Sequence, residues 1–273
     1  MNISKKIPSK KEGGLRLNGK FKSGSEHSPL ITIITSVLNG AKTIESSIKS
    51  VIDQTYPNIE YIVIDAVSKD RTIDILEENS SCIDYWISEP DKGIYDAWNK
   101  GVALASGEWV LFLGADDFLK PTALSLMIDC ANTSNEKLEY ISGKAELIKE
   151  GRVIQTVGLP WSWKVFKKYC CTAQAGALHN KLLYERLGGY DTTYKSSGDY
   201  EFLLRAGKEL KAAYVDKVTI SMSLGGISNS SLLPIWETYY AIKKHSTINL
   251  FISFMGLIKS LMSWKVKRLL GLT

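Results

Sequence analysis

The chain has 273 residues, 44% of them hydrophobic, and a net charge of +5 from 34 Lys and Arg against 29 Asp and Glu. This length allows one sizeable α/β core. The positive excess lies at the two ends, which excludes a uniformly basic nucleic-acid-binding face and favours contact with an anionic membrane surface. The four cysteines have no CxxC spacing and the basic start has no apolar signal-peptide core, so we expect a cytoplasmic protein.

Three regions are predicted along the chain. Residues 1–28 are rich in Lys, Ser and Gly and have almost no apolar periodicity, so we expect a flexible N-terminal tail. Residues 29–228 are expected to form a single catalytic domain. Residues 229–273 are expected to form a C-terminal amphipathic helical segment.

Strands and helices alternate from Pro29 onwards. The run LITIITSV is typical of a buried strand, and Ile44, Ile48 and Val51 lie at helical spacing after it. The strand EYIVID, a helix near 71–79, the strand DYWI, a helix near 94–105 and the strand EWVLFL follow. Helices near 121–134, 180–187 and 199–209 and strands near 138–149 and 152–157 are predicted in the second half. This order indicates an α/β fold, an open sheet with helices on both faces.

Polar residues follow three of the predicted strands. These residues are Asn39, Asp65 and the adjacent pair Asp116 and Asp117. Ligands of open α/β sheets bind outside the carboxyl ends of the strands, so we expect the chemistry at these positions.

The pair Asp116 and Asp117 ends a buried strand in GEWVLFLGADD. Two adjacent carboxylates at a buried edge repel one another, which favours a cation between them and a ligand. Hard oxygen ligands select Mg²⁺ or Mn²⁺. The alternative is a helix N-cap, a position that Asp favours.

The segment SEPDKGIYDAWNKG combines a turn with the start of a helix. Asp96 and Asn99 lie three residues apart on one face of that helix, and Asp91 precedes it. Taken alone, the segment is also typical of a capped, solvated helix.

Taken in order, a strand followed by Asn-Gly, then QTYPNIEYIVID, SEPDKGIYDAWNKG and GEWVLFLGADD closely resembles glycosyltransferase family 2, whose members have the GT-A fold. The resemblance extends from Pro29 to Ser228. It implies an inverting, metal-dependent enzyme with a Rossmann-like open mixed sheet. It also implies a nucleotide-sugar donor, with UDP-sugar expected, and a glycan or lipid-linked acceptor in surface polysaccharide biosynthesis.

The resemblance assigns residues to this site. Donor-binding residues are Thr35, Asn39, Asp65, Asp96 and Asp116; the metal ligand, for Mn²⁺ or Mg²⁺, is Asp117; and the general base is Asp199, within LGGYDTTYKSSGDYEFLLR. From the residues alone, Asp199 can also be read as an N-cap of the helix that follows it.

Two positions depart from the family pattern. Many relatives carry DGGSTDGT after the second strand, whereas this chain has DAVSKDRT, with Ala66 and Val67 in place of flexible glycines. Ala173 precedes Gln174 where a His-Gln pair is frequent, so the resemblance assigns no histidine.

Two other functions compete with a transferase. A Gly-rich, basic loop after the first strand would favour a nucleotidyltransferase. The corresponding TSVLNGAKT has only one Gly and one Lys, which disfavours this function. A catalytically silent nucleotide-binding module of the same fold is favoured by Ala66 and Val67 and opposed by Asp117 and Asp199.

The end of the chain has an amphipathic pattern. In NLFISFMGLIKSLMSWKVKRLL, polar residues trace one helical stripe beside a broad apolar surface and a basic end. This pattern is typical of a helix on a membrane surface and equally of one packed on the catalytic domain. We therefore expect a contact with the cytoplasmic membrane face as one of two alternatives.

Overall fold

The computed structural model describes residues 10–224 and 232–246, together with 256, 258, 261 and 262. Its strands are β1 (Lys11–Gly13), β2 (Ile31–Val37), β3 (Ile59–Asp65), β4 (Tyr85–Ser88), β5 (Trp109–Phe112), β6 (Phe118–Leu119), β7 (Tyr140–Lys149), β8 (Arg152–Val157), β9 (Leu178–Asn180) and β10 (Ala212–Ser223). Its helices are α1 (Ile44–Ile52), α2 (Thr72–Glu78), α3 (Ile94–Leu104), α4 (Ala123–Asn132), α5 (Trp163–Phe166), α6 (Leu182–Leu187), α7 (Gly198–Ala206) and α8 (Leu233–His245). Short 3₁₀ turns occupy Leu15–Asn18 and Gly207–Glu209.

The strands of the described residues form one mixed sheet. Its order is β1-β4-β3-β2-β5-β9-β7-β10-β6, and β8 pairs with β7. Strands β4, β3, β2 and β5 are parallel, whereas β9 is antiparallel to both β5 and β7. The predicted open α/β sheet is therefore confirmed, with a parallel half followed by a mixed half.

Both faces of the central strands are covered, as their continuous apolar runs predict. Ile33 and Val63 pack on one face with residues of α1, α2 and α4. Ile34 and Ile62 pack on the other face with residues of α3, α6, α7 and α8. Because successive side chains of a strand point to opposite faces, one apolar strand contributes to both clusters.

The N-terminal segment differs from the expected flexible tail over its described part. Lys11–Gly13 pairs with β4, and the Leu15 amide donates to the Ile83 carbonyl at 3.0 Å. Arg16 forms an ion pair with Glu60, which is 1% exposed. Backbone pairing and one buried ion pair thus order a segment that lacks apolar periodicity.

Five elements go beyond the sequence prediction, namely β1, β6, β9, β10 and α5, whereas α8 lies within the segment 229–273 that was expected to be helical. Strand β10 pairs in parallel with β7 and antiparallel with the edge strand β6, so it completes the second half of the sheet. The predicted amphipathic segment from 249 to 270 lies outside the described residues, apart from four single positions. Within the part of the chain that the structure describes, no helix has the length and apolar content needed to span a bilayer.

Candidate active site

The parallel half of the sheet brings three loops to one edge. Asp65 is the last residue of β3 and lies beside Val37, the last residue of β2. Strand β5 runs parallel to β2 and ends at Phe112, just before the loop that carries Asp116 and Asp117. The carboxyl ends of these strands therefore meet at the edge where open α/β sheets bind ligands.

Asp65 is fully buried at this edge. Its Oδ2 accepts hydrogen bonds from the Ser68 amide at 2.9 Å and from the Ser88 hydroxyl at 2.6 Å. Its Oδ1 is buried and has no hydrogen-bond partner among the described residues. A buried carboxylate oxygen without a donor is costly, so this atom is suited to a donor group of a ligand, such as a hydroxyl or a ring N–H.

Thr35 does not reach the edge. Its side chain is fully buried, and its hydroxyl oxygen accepts a hydrogen bond from Tyr61 at 3.1 Å. In this structure the Thr35 side chain therefore exposes no atom to the strand-end edge. The residue supports the sheet under the site, because its place in β2 turns its side chain into the protein.

Asn39 joins the first loop to the loop after β3. Its amide donates to the Ser68 hydroxyl at 2.7 Å, and its Oδ1 accepts from the Lys69 amide at 2.8 Å. The next two amides, of Gly40 and Ala41, donate to Thr72 and Asp70. Asn39 thus holds two loops together at the edge of the sheet, and its carboxamide oxygen already accepts a hydrogen bond within the protein.

Val67 has a strained backbone in the second of these loops. Its φ is 61°, in the left-handed region that β-branched residues rarely adopt. The family pattern has a glycine here, and glycine adopts this conformation at no steric cost. The strain lies beside Asp65 and is maintained by the hydrogen bonds between the two loops.

We expect Val67→Gly to relieve this strain. The gain of about 1–2 kcal/mol from the left-handed backbone exceeds the roughly 0.5–1 kcal/mol that glycine loses through unfolded-state flexibility. The matched control is Ala66→Gly, since the φ of Ala66 is not positive, and it should lose about 0.5–1 kcal/mol. Urea denaturation of both variants measures the difference, and equal destabilisation would exclude strain at Val67.

The acidic pair follows β5. Asp117 is 7% exposed, and its Oδ1 accepts from the Ser223 amide at 3.0 Å. The Ser223 hydroxyl donates to the Asp116 carbonyl at 2.7 Å, so the end of β10 fixes this loop. Burial, and secondly the charge of Asp116, raises the pKa of Asp117 to about 7. The pair is thus an unfavourable concentration of negative charge without a cation.

The donor set fits a hard divalent cation. Both side chains offer carboxylate oxygens, and a cation would offset the burial and the repulsion by Asp116 that together raise the pKa of Asp117. Among the described residues, no cluster of three or more His, Cys, Asp or Glu could hold a metal. An ion here would therefore take its remaining ligands from water and from a ligand's phosphates, which is the usual manner of Mg²⁺.

Asp96 lies in the first turn of α3. Its Oδ2 accepts from the Lys92 amide at 3.0 Å and lies 3.8 Å from the Lys100 ammonium. The Oδ1 of Asp91 accepts from the Gly93 amide at 2.9 Å. These contacts agree with the capped-turn alternative, and Asp96 is half-buried.

Asp199 begins α7 on the other side of the site. Its Oδ1 accepts from the Tyr95 hydroxyl at 3.2 Å and from the Tyr200 amide at 2.8 Å. Its Oδ2 makes no hydrogen bond with a described residue. Burial raises the pKa of Asp199 to about 6, which suits a base that works near neutral pH. The N-cap alternative is wrong, because Ser197 occupies that position.

Helix α3 ties the two sides together. Tyr95 reaches Asp199 from its first turn, and Asn99 exchanges hydrogen bonds of 2.9 and 2.8 Å with the backbone of Tyr190. The strand-end carboxylates and Asp199 are therefore held by one continuous packed structure rather than by separate loops.

Glu237 of α8 holds the chain that leads into α7. Its two carboxylate oxygens accept from the amides of Lys195, Ser196 and Ser197 at 2.7, 2.8 and 2.8 Å. Carboxylates satisfy free amides at helix starts well. Sequence reasoning missed this residue, because it lies about forty positions after the amides that it binds and no local pattern links them.

Gln174 is a second residue that sequence reasoning left without a function. Its loop reaches the end of β5, where the Gly176 amide donates to the Phe112 carbonyl at 3.1 Å. Its Nε2 donates to the Cys170 sulfur at 3.2 Å, and its Oε1 is buried without a partner among the described residues. An unpaired buried acceptor here is suited to a substrate hydroxyl.

The fold and this edge define the chain as an α/β protein with a ligand-binding type of strand-end site. The sequence profile described as "Glycosyl transferase family 2" matches residues 32–153. An uncharacterized glycosyltransferase of Mycobacterium tuberculosis is 34% identical over 183 residues, which cover 65% of this chain and 69% of the relative. The chain belongs to glycosyltransferase family 2.

Solved structures show the same fold. TarS of S. aureus, residues 1–349 in complex with UDP-GlcNAc, matches with a TM-score of 0.66 at 17% identity, covering 85% of this chain and 71% of TarS. The mannosyltransferase PcManGT of Pyrobaculum calidifontis, in complex with GDP-Man and Mn²⁺, matches with a TM-score of 0.59 at 16% identity, covering 90% and 80% of the two chains. The fold is that of the GT-A glycosyltransferases, as the resemblance implied.

Proposed function

We propose that this glycosyltransferase moves a sugar from a nucleotide-sugar donor to a glycan or lipid-linked acceptor, with metal dependence and inversion at the anomeric carbon. The observation that carries the proposal is that the strand-end carboxylates and Asp199 form the two sides of one site, which α3 connects. Buried carboxylates lie at the strand ends on one side. Asp199, whose pKa is raised, lies on the other side. The UDP-GlcNAc and GDP-Man complexes of TarS and PcManGT support a nucleotide-sugar donor, and we favour a UDP-sugar.

On the donor side, the free Oδ1 of Asp65 accepts a hydrogen bond from the nucleoside, and Asp96 and Asp116 lie beside the sugar and diphosphate. Asp117, with Asp116, would hold a divalent cation, Mn²⁺ or Mg²⁺. Such a cation, when bound, stabilises the negative charge of the departing nucleoside diphosphate without proton transfer. The Mn²⁺ complex of PcManGT supports this assignment.

On the acceptor side, Asp199 acts as the general base. Its Oδ1 is fixed by Tyr95 and Tyr200, which leaves Oδ2 to take the proton from the acceptor hydroxyl. The hydroxyl oxygen then attacks the anomeric carbon from the face opposite the leaving diphosphate, and a single displacement inverts the configuration. The proton stays on Asp199 until it passes to solvent.

A silent nucleotide-binding module is the second candidate. The strained Val67 is the observation that favours it, because a valine side chain fills space where relatives have glycine. A carboxylate with a raised pKa and a free oxygen at Asp199 speaks against it, since nucleotide binding alone gives that residue no function. A nucleotidyltransferase is disfavoured by the absence of a Gly-rich basic loop after β2.

A thermal-shift panel tests the proposal. UDP-, GDP-, dTDP- and CDP-sugars are each added to the full chain with and without Mn²⁺. A ligand at 100 times its Kd should add about 2.7 kcal/mol to the free energy of unfolding. We expect one nucleotide, UDP, to raise the melting temperature in a Mn²⁺-dependent manner. No shift with any of the four would contradict donor binding.

We also propose a cytoplasmic location with a contact to the membrane face through residues 249–273. This segment lies outside the described residues apart from four single positions, so the support comes from its amphipathic pattern and basic end. A lipid-linked acceptor would be presented at such a surface.

A further inference from the structure

A basic and aromatic segment lies next to the acceptor side of the site. Residues 161–169 read WSWKVFKKY, with three Lys and four aromatic residues among nine. The chain has no Asp or Glu between Arg152 and Glu185. This region is therefore positively charged in a domain whose other lysines are mostly interspersed with acids.

The lysines of this segment reach the surface and form no ion pair with a described residue. Lys164 and Lys168 are exposed and Lys167 is half-buried. None of the three forms an ion pair with a described residue, whereas lysines such as Lys120 and Lys144 do. Tyr169 beside them is 53% exposed, so an aromatic ring accompanies the charges at the surface.

The segment is anchored beside Asp199. Phe166 is fully buried, and its carbonyl accepts a hydrogen bond from the Tyr200 hydroxyl at 2.6 Å. The Phe166 ring lies 4.4 Å from that of Trp161 and 4.9 Å from that of Tyr200, measured between centroids. Because Tyr200 follows Asp199 in α7, the segment and the base form one rigid unit.

The end of the segment reaches the loop that carries Gln174. Cys170, the residue after the segment, is exposed, and its sulfur accepts a hydrogen bond from the Gln174 Nε2 at 3.2 Å.

We propose that Lys164, Lys167 and Lys168, together with the neighbouring rings, form a surface that binds anionic phospholipid and turns Asp199 toward the membrane. The idea rests on the proposed function in one respect, that the acceptor is lipid-linked. Each lysine near an anionic surface contributes on the order of 1 kcal/mol, and aromatic rings favour the headgroup level. This surface is separate from the 249–273 segment and acts in addition to it.

Vesicle co-sedimentation of the full chain tests the surface. The vesicles are phosphatidylcholine alone or phosphatidylcholine mixed with phosphatidylglycerol. The triple variant Lys164→Gln, Lys167→Gln, Lys168→Gln should bind the anionic vesicles about 10- to 100-fold more weakly, the range expected for the loss of up to three such lysines. Binding of the wild-type chain should also weaken with added salt.

The matched control removes the same charge elsewhere. Lys208→Gln, Lys211→Gln, Lys217→Gln changes three lysines that are exposed, the first two near the end of α7 opposite Asp199. The control should keep nearly all of its vesicle binding. Unchanged binding of the first triple variant, or an equal loss in the control, would overturn the proposal.

Donor binding separates this proposal from the proposed function. The triple variant should keep the wild-type thermal shift with nucleotide and Mn²⁺, which also shows that it is folded. A chain that binds vesicles through these lysines but binds no nucleotide would overturn the proposed function and leave the lipid surface intact.

Discussion

Replacing Asp199 with Asn is expected to lower sugar transfer by about two to four orders of magnitude, the usual range for a general base. The Asn carbonyl oxygen can still accept from Tyr95 and Tyr200, so the fold and the start of α7 should persist. Donor affinity should be unchanged, because Asp199 lies on the acceptor side. Calorimetric donor binding measured beside transfer kinetics separates these two effects.

The pH dependence provides a second readout for this residue. A base acts in its deprotonated form, so wild-type kcat/KM should fall as the pH drops below the pKa of Asp199, about 6. The Asp199→Asn variant should lack this acidic limb.

The control for Asp199 is Asp191→Asn. Asp191 lies in the same stretch before α7, where it accepts hydrogen bonds from Thr193 and pairs with Lys244. It should retain transfer within a few fold. Glu201, the next carboxylate in α7, is buried against Arg205 and His245 and therefore cannot replace Asp199 as the base. Near-normal turnover of a folded Asp199→Asn protein would contradict the assignment.

Replacing Asp117 with Asn is expected to abolish Mn²⁺-dependent donor binding. The substitution removes the buried carboxylate that would contact the cation and leaves a neutral amide, which is a poor ligand for hard divalent ions. Titration of nucleotide with and without Mn²⁺ measures this loss. The exposed Asp129 of α4 is the control, since Asp129→Asn should bind as the wild type does. Unchanged Mn²⁺-dependent affinity in Asp117→Asn would contradict the metal site.

The same substitution should stabilise the ligand-free protein at alkaline pH. The folded pKa of Asp117 is about 7, above its usual value of 3.8, so the folded state binds more protons than the unfolded state between these values. Stability contributed by this group is therefore present below pH 4 and is lost as the pH rises to 7. The full shift amounts to roughly 4 kcal/mol at most. We expect metal-free Asp117→Asn to melt higher than the wild type at pH 8 and to show no gain at pH 4.

Local patterns were sufficient to predict the strand ends and the carboxylates that follow them. A continuous β-branched run identifies β2 and β3. The residue at the carboxyl end of each run lies at the edge of the sheet where ligands bind. Asp65, Asp116 and Asp117 were found in this way. Asp199 was found from the family resemblance, and its raised pKa and free oxygen are properties of the folded chain.

Long-range partners account for what sequence reasoning missed. The cap that Glu237 provides depends on where α8 packs, and the ordered N-terminal segment depends on Arg16 meeting Glu60. Neither contact leaves a periodic signal in the sequence. The burial of the Thr35 side chain was not predicted, because its strand is buried on both faces and alternation did not reveal which way the side chain points.

The most direct test of the central claim is the stereochemistry and stoichiometry of transfer. The full chain is incubated with Mn²⁺, a lipid-linked acceptor and the donor that the thermal-shift panel selects, and the anomeric configuration of the product is read by NMR. We predict that nucleoside diphosphate is released in an amount equal to the sugar transferred, and that an α-linked donor gives a β-linked product. Retention of configuration, transfer of a nucleotidyl group, or donor binding without transfer would contradict an inverting glycosyltransferase that uses Asp199 as its base.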